Sequence, residues 1–210
     1  MKNGLSTFVY ATYDEDKNTY GDVGKLAGAI SYKEALTKSS NKIYADNTVA
    51  ISDSAVTGGT LTMEVLDDAP EIFAPLLGKG KKKIQVGGKE EKIYVSNSND
   101  NPIPVGFGFV ENEKDEKNAY FTVNFYPKVS FEPYDKENST KEENNEYKKP
   151  TVTGTIYNIG NGDYKYEKRC ASMLEALRVL YALFGKELPA DMENKFSEDS
   201  LDRTETEAAE

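Results

Sequence analysis

Apolar side chains recur at every second position in three runs of residues 28–78: Ile30 and Tyr32, Val49 and Ile51, then Leu61, Met63 and Val65. That period puts each set on one face of a β-strand. At Asp68 the spacing becomes helical. Ile72/Leu76 and Phe73/Leu77 form i, i+4 pairs, Asp68 is placed to cap the first amides with Glu71 completing a capping box, and Gly78 supplies the stop. The polar run TKSSNK, residues 37–42, reads as a turn between two extended arms, so residues 28–51 form a hairpin or a long projecting loop, and the projecting arm is preferred.

The same reading extends along the chain. Residues 5–13 predict a first strand with Leu5, Thr7, Val9 and Ala11 on one side and Phe8 and Tyr10 on the other, and residues 14–25 a polar loop. After Gly78, Lys79, Lys81, Lys82 and Lys83 concentrate positive charge ahead of a turn at Gly87-Gly88. This is either a solvated hairpin or a contact for an acidic surface on a neighbouring copy. In IPVGFGFV, Ile103, Val105, Phe107 and Phe109 share one face, while Gly106 and Gly108 leave the other bare for close approach of another backbone. Residues 120–131 alternate cleanly. Phe121, Val123, Phe125, Val129 and Phe131 point to a core and the intervening residues to water, and Pro127 predicts a bend or an edge. A strand with Val152 and Ile156 facing inward follows a solvated insertion at 132–150. A second helix over 172–185 then carries a capping box, Ser172 and Glu175, and a stripe of Met173, Leu174, Leu177, Leu180, Tyr181 and Phe184.

The fold class expected is mainly β, a β-sandwich or half-barrel, with one flanking helix and a C-terminal helix. A single domain over residues 1–188 precedes an acidic tail, 189–210, whose last twenty residues hold eight acids and two bases and predict disorder.

Composition narrows function mainly by exclusion. Lys and Arg total 26 against 36 Asp and Glu, a formal charge of −10 that argues against gripping nucleic acid by its phosphates. No apolar run approaches the roughly 20 residues of a membrane span, and no secretory signal is seen, so a soluble chain beginning here is expected. Histidine is absent, which removes the commonest general acid/base and metal ligand. Cys170, the single cysteine, reads as a core residue rather than a nucleophile. Asp14-Glu15-Asp16 and Asp67-Asp68 do not follow a calcium-loop pattern, and Gly78-Lys79-Gly80 lacks phosphate-loop spacing. No enzymatic activity, cofactor or metal is expected.

The runs NKIYADNTVAISDS, GGTLTMEVLDDAPEIFAPLLG and VGFGFVENEKDEKNAYFTVNFYPKVSF, in that order, resemble the major tail (tail tube) proteins of long-tailed bacteriophages across residues 1–157. The resemblance implies six copies closing into a ring and rings stacking as a tube in the virion, assembled in the host cytoplasm. DNA would pass through without adhering. Tape-measure, terminator and distal tail proteins would be the partners, with no membrane involved. Under that resemblance the arm and the lysine hairpin reach neighbouring copies, and Lys38, Asn41, Ile43, Tyr44, Lys79, Lys81, Lys82 and Lys83 are the candidate subunit contacts. The helix and tail after residue 157 lie outside it. The other reading is a monomeric β-sandwich that binds a sugar or a surface protein through exposed tyrosines such as Tyr134 and Tyr147.

Overall fold

The computed structural model describes residues 2–26, 28–45, 48–115, 118–134 and 149–196, with the backbone alone at residues 2, 3, 29, 41–45 and 48–53. The chain is mainly β with three short helices. The order is β1 (Lys2–Asp14), β2 (Thr19–Tyr20), β3 (Gly24–Lys25), β4 (Ala29–Ala45), β5 (Thr48–Val65), α1 (Pro70–Leu76), β6 (Gly80–Val86), β7 (Lys89–Val95), β8 (Val105–Lys114), β9 (Ala119–Phe131), β10 (Thr151–Ile156), β11 (Tyr166–Cys170), α2 (Met173–Leu183) and α3 (190–196). One antiparallel sheet runs β2-β1-β8-β9-β10-β5-β4, with β3 also on β1 and β11 also on β9; β6 and β7 pair only with each other. The sheet curls until Tyr32 of β4 meets Phe109 of β8, ring centroids 4.5 Å apart, although four ladder steps separate the two strands.

Curling gives the sheet two buried faces. Inside, Phe8, Leu61, Phe107, Phe109 and Phe131 pack with Phe73 and Leu76 of α1. Outside, Val9, Ala11, Val123 and Phe125 pack with Leu177, Leu180 and Phe184 of α2. The bare face of β8 is what admits α2: a side chain on Gly106 would strike Tyr20 and Phe184, and one on Gly108 would strike Leu180. The close approach foreseen there is made chiefly by side chains, Leu180 and Phe184 from α2 and its C-cap and Tyr20 from β2.

Two bulges redirect the alternation. At Thr7, which has φ 56°, β1 shifts register against β8, so Leu5 joins Phe8 on the inner face while Val9 and Ala11 face α2. The simple alternation from Leu5 to Ala11 therefore fails at Thr7. In β9 the register slips between Phe107↔Tyr126 and Val105↔Val129. Phe121, Val123 and Phe125 face α2, whereas Tyr126, Val129 and Phe131 face the inner core. Pro127 sits in this bulge at the centre of the sheet, between the stretch that pairs β11 and the stretch that pairs β10, where its missing N–H costs no ladder bond. The expectation of one dry and one wet face is corrected, since Asn124 and Tyr126 are as buried as their neighbours.

The helices obey their caps with one exception. Both α1 and α2 end in a Schellman turn: Lys79 N–H donates to Ala74 O at 2.9 Å past Gly78 (φ 68°), and Lys186 N–H donates to Tyr181 O at 3.1 Å past Gly185 (φ 67°). At the start of α2 the Ser172 hydroxyl accepts from Glu175 N–H at 3.2 Å, and the Glu175 carboxylate accepts from Ala171 N–H. Asp68 does not cap α1. The N-cap is Ala69, Pro70 occupies N1 with its φ already helical, and the Asp68 carboxylate instead accepts the Tyr134 hydroxyl at 3.1 Å.

The tail also departs from its composition. Residues 190–196 form α3, which buries Met192 against the outer core, rests Phe196 on it and pairs Glu193 with Arg178. Met192 and Phe196 stand four apart, a helical pair within an acidic run. Residues 197–210, and most of the 132–150 insertion, lie outside the described residues.

Candidate assembly surfaces

Two hairpins leave the body. The first is β4–β5, whose ladder runs from Ala29↔Val65 to Ala45↔Thr48. β10 covers β5 only along Gly59–Glu64, so beyond Gly58 the hairpin is two strands with no third among the described residues. The expected arm is there, but residues 37–42 are ladder residues within β4 rather than its turn. The arm is angled at its root. A register shift falls between Thr37 and Lys38, Gly58 takes φ 147° where a Cβ would lie 2.8 Å from the Ile156 carbonyl oxygen, and Asn158 Nδ2 donates to Val56 O at 2.9 Å. Lys38 is exposed just past this root, opposite Val56. Asn41, Ile43 and Tyr44 follow toward the tip; their backbones are in the ladder and their side chains lie outside the described residues.

The second hairpin is β6–β7, turning at Gly87 and Gly88, both with positive φ. Its register sorts the lysines. Lys81 and Lys83 share a face with Tyr94 and Glu90: the Lys81 ammonium lies 5.7 Å from the Tyr94 ring, and Lys83 Nζ is 2.6 Å from Glu90 Oε1. Lys82 lies on the other face with Ile84, Val86 and Ile93, which are 41%, 53% and 37% exposed. Lys79 is half-buried at the root, in a cleft with Phe73, Tyr94 and Tyr134. The four lysines do not act as one patch: Lys83 serves the hairpin itself, and Lys82 borders an uncovered apolar strip.

A third surface was not foreseen. A groove of about 580 Å³ opens beside the start of α2, lined by Thr7, Phe121, Met173, Leu174 and Phe196 among others. Met173 and Leu174, assigned to the core stripe by spacing, are only half-buried there.

The remaining cluster of titratable groups is structural in its geometry. Lys165 Nζ lies 2.9 Å from both Glu34 Oε2 and Glu167 Oε1 and 5.3 Å from the Tyr126 ring, tying edge strand β4 to the segment before β11. Tyr32 donates its hydroxyl to the buried Glu111. These bonds hold the curl where β4 has no outer ladder partner. Burial lowers the Lys165 ammonium, but hydrogen bonds to Glu167 and Glu34 outweigh it, so its ionisation is shifted up. Burial, then the hydrogen bond to Glu111, holds the Tyr32 phenol far above its ordinary range, and burial with the Glu34 charge does the same for Tyr126.

Folded-state ionisation raised above the unfolded value gives stability that is complete below the unfolded tyrosine pKa of about 10 and is lost as pH rises beyond it. Absorbance at 295 nm should therefore show Tyr32 and Tyr126 ionising only as the chain unfolds. Among the described residues the Tyr126 hydroxyl makes no well-formed hydrogen bond, only a minor one to Glu34, so Tyr126→Phe should cost less than about 0.5 kcal/mol at pH 7 and soften the alkaline decline. A loss above about 2 kcal/mol would mean the hydroxyl is bonded after all.

Cys170 is buried, and burial raises its thiol above the ordinary value with Glu175 adding to the shift, the reverse of activation. Three of the five carboxylates considered for calcium are engaged within the protein: Asp14 with Lys17, Glu15 with Lys128 and Asp68 with Tyr134. Among the described residues no group of three or more ligating side chains converges. Tyr134 stacks edge-on against Phe73 at 5.9 Å and belongs to the body, while Tyr147 lies outside the described residues.

No protein-family model matches the chain, and a search of curated proteins also gives no match.

Proposed function

We propose that the chain is a self-assembling structural protein of the tail-tube kind, in which the curled sheet is a half-barrel wall, six copies close into a ring, and rings stack into a conduit in a virion. The observation that carries this is the distal β4–β5 arm. Strands of 17 and 18 residues run past the sheet as a two-stranded ribbon that pairs with no third strand among the described residues. Such a ribbon is marginal in water alone and gains stability when a neighbour supplies the missing surface. The net charge of −10 supports the DNA-conduit part of the reading, because carboxylates lining a lumen repel phosphates and keep a passing duplex from adhering. A contact that closes laterally and repeats axially yields a tube from one kind of subunit.

Negative-stain microscopy of concentrated protein, paired with sedimentation velocity across a dilution series, tests this. Rings or tubes of uniform diameter are the expected result. A particle that sediments as a monomer at every concentration supports the other class, a monomeric binding module.

A further inference from the structure

Residues 197–210, SEDSLDRTETEAAE, hold six carboxylates, one arginine and a single large apolar residue, Leu201. Residues 79–95 have the opposite balance, six lysines against Glu90 and Glu91. One face of that hairpin presents Ile84, Val86 and Ile93 between Lys82 and Lys89, with Glu91 as its one carboxylate. The two segments complement each other in charge and also in apolar content.

The last described residue before the first segment, Phe196, and the root of the hairpin lie toward opposite ends of β9. Phe196, the last described residue of α3, lies in the groove beside Thr7 and Phe121. The hairpin stands beyond the other end of β9, where Lys79 and Tyr94 share a cleft with Tyr134, three residues past Phe131. Phe121 and Phe131 are ten residues apart, roughly 33 Å of strand. A fourteen-residue segment reaches at most about 50 Å fully extended. Leu201, five residues past Phe196, reaches at most about 18 Å from it and so falls short of its own hairpin, whereas a copy stacked end to end brings the hairpin to the tail.

We propose that residues 197–210 of one copy bind the Lys82–Ile84–Val86–Lys89–Ile93 face of the β6–β7 hairpin on the next copy, with Leu201 on the apolar strip and Asp199 and Asp202 against the two lysines. This contact rests on the self-assembly reading and names one of its axial joints.

The test is a charge swap in the full-length chain, read by sedimentation velocity at low and moderate salt. K82E/K89E and D199K/D202K should each weaken association about tenfold, and the four changes together should restore it. Salt should weaken the wild-type contact as well. Failure of the combined variant to recover, or wild-type association in D199K/D202K, overturns the contact. Where the wild-type chain never associates, the self-assembly reading falls and the contact is judged separately with a labelled 197–210 peptide. Binding to full-length D199K/D202K that is lost when K82E/K89E is added upholds it, and absent or hairpin-independent binding overturns it. A wild-type monomer that excludes the peptide, while D199K/D202K accepts it, shows the tail folded onto its own hairpin and overturns the contact between copies.

Discussion

Leu180→Ala should lower the unfolding free energy by about 2–5 kcal/mol, the range for emptying a fully buried leucine site. Urea denaturation with an unchanged m-value is the measurement. The informative experiment is its coupling to Gly108. A Cβ on Gly108 would lie 2.5 Å from Leu180 Cδ1 and 3.1 Å from the Asn124 carbonyl oxygen, so Gly108→Ala alone should cost about 1–3 kcal/mol through overpacking. In the Leu180→Ala background the nearer obstacle is gone, and the added methyl fills part of the vacated space. The double variant should therefore be less destabilised than the sum of the singles by about 1 kcal/mol. Strict additivity would mean that the bare face of β8 is not there to seat α2.

That pair shows what the sequence exposes and what it hides. Gly106 and Gly108 announce a close approach, because a strand that gives up two side chains on one face leaves room for something. They carry no label for the visitor, which is α2, more than sixty residues downstream. The long strands were legible from alternation, and so were the stop at Gly78, the Ser172 cap and the turn at Gly87-Gly88, but residues 14–25, expected to be a loop, also hold the short strands β2 and β3 paired to β1. The bulges were not legible either. In β9 the odd-numbered residues stay apolar on both sides of Pro127, so the pattern looks unbroken while the face it describes changes. The local sign was Pro127, which marks the place as a bend or an edge but not the change of face. In β1 the bulge falls on Thr7 at positive φ, where no glycine marks it.

Composition misled in the tail for a similar reason. Eight acids in residues 191–210 outweigh three large apolar side chains in any average, yet two of these, Met192 and Phe196, are spaced to lie on one helical face and meet a core already built. The candidate surfaces divide along the same line. Lysine clustering is a local property and was visible, but the cross-strand register that gives Lys83 to Glu90 and leaves Lys82 beside Ile84 and Ile93 appears only once the hairpin is formed. The link between Tyr32 and Glu111 joins residues 79 apart and leaves no spacing to find.

Replacing residues 38–57 by Asn-Gly, so that a tight turn joins Thr37 to its ladder partner Gly58, should abolish assembly and leave the subunit folded. The removed ladder, Lys38↔Val56 to Ala45↔Thr48, borders no third strand among the described residues, and a lone two-stranded ribbon contributes little to the stability of the body. The urea midpoint should correspond to a change within about 1 kcal/mol, since both cores, α1, α2 and the Lys165 ties remain. Sedimentation velocity and negative stain, in contrast, should show only monomer under conditions where the wild-type chain forms rings or tubes. Ile43→Ser with Tyr44→Ser gives the milder form of the same test: it keeps the ribbon's length and removes two large apolar groups near its tip. If the shortened chain still assembles, the arm is not the joint between copies. If instead it unfolds, the distal ladder supports the body in a way its pairing does not reveal, and in either event the arm no longer supports the tube.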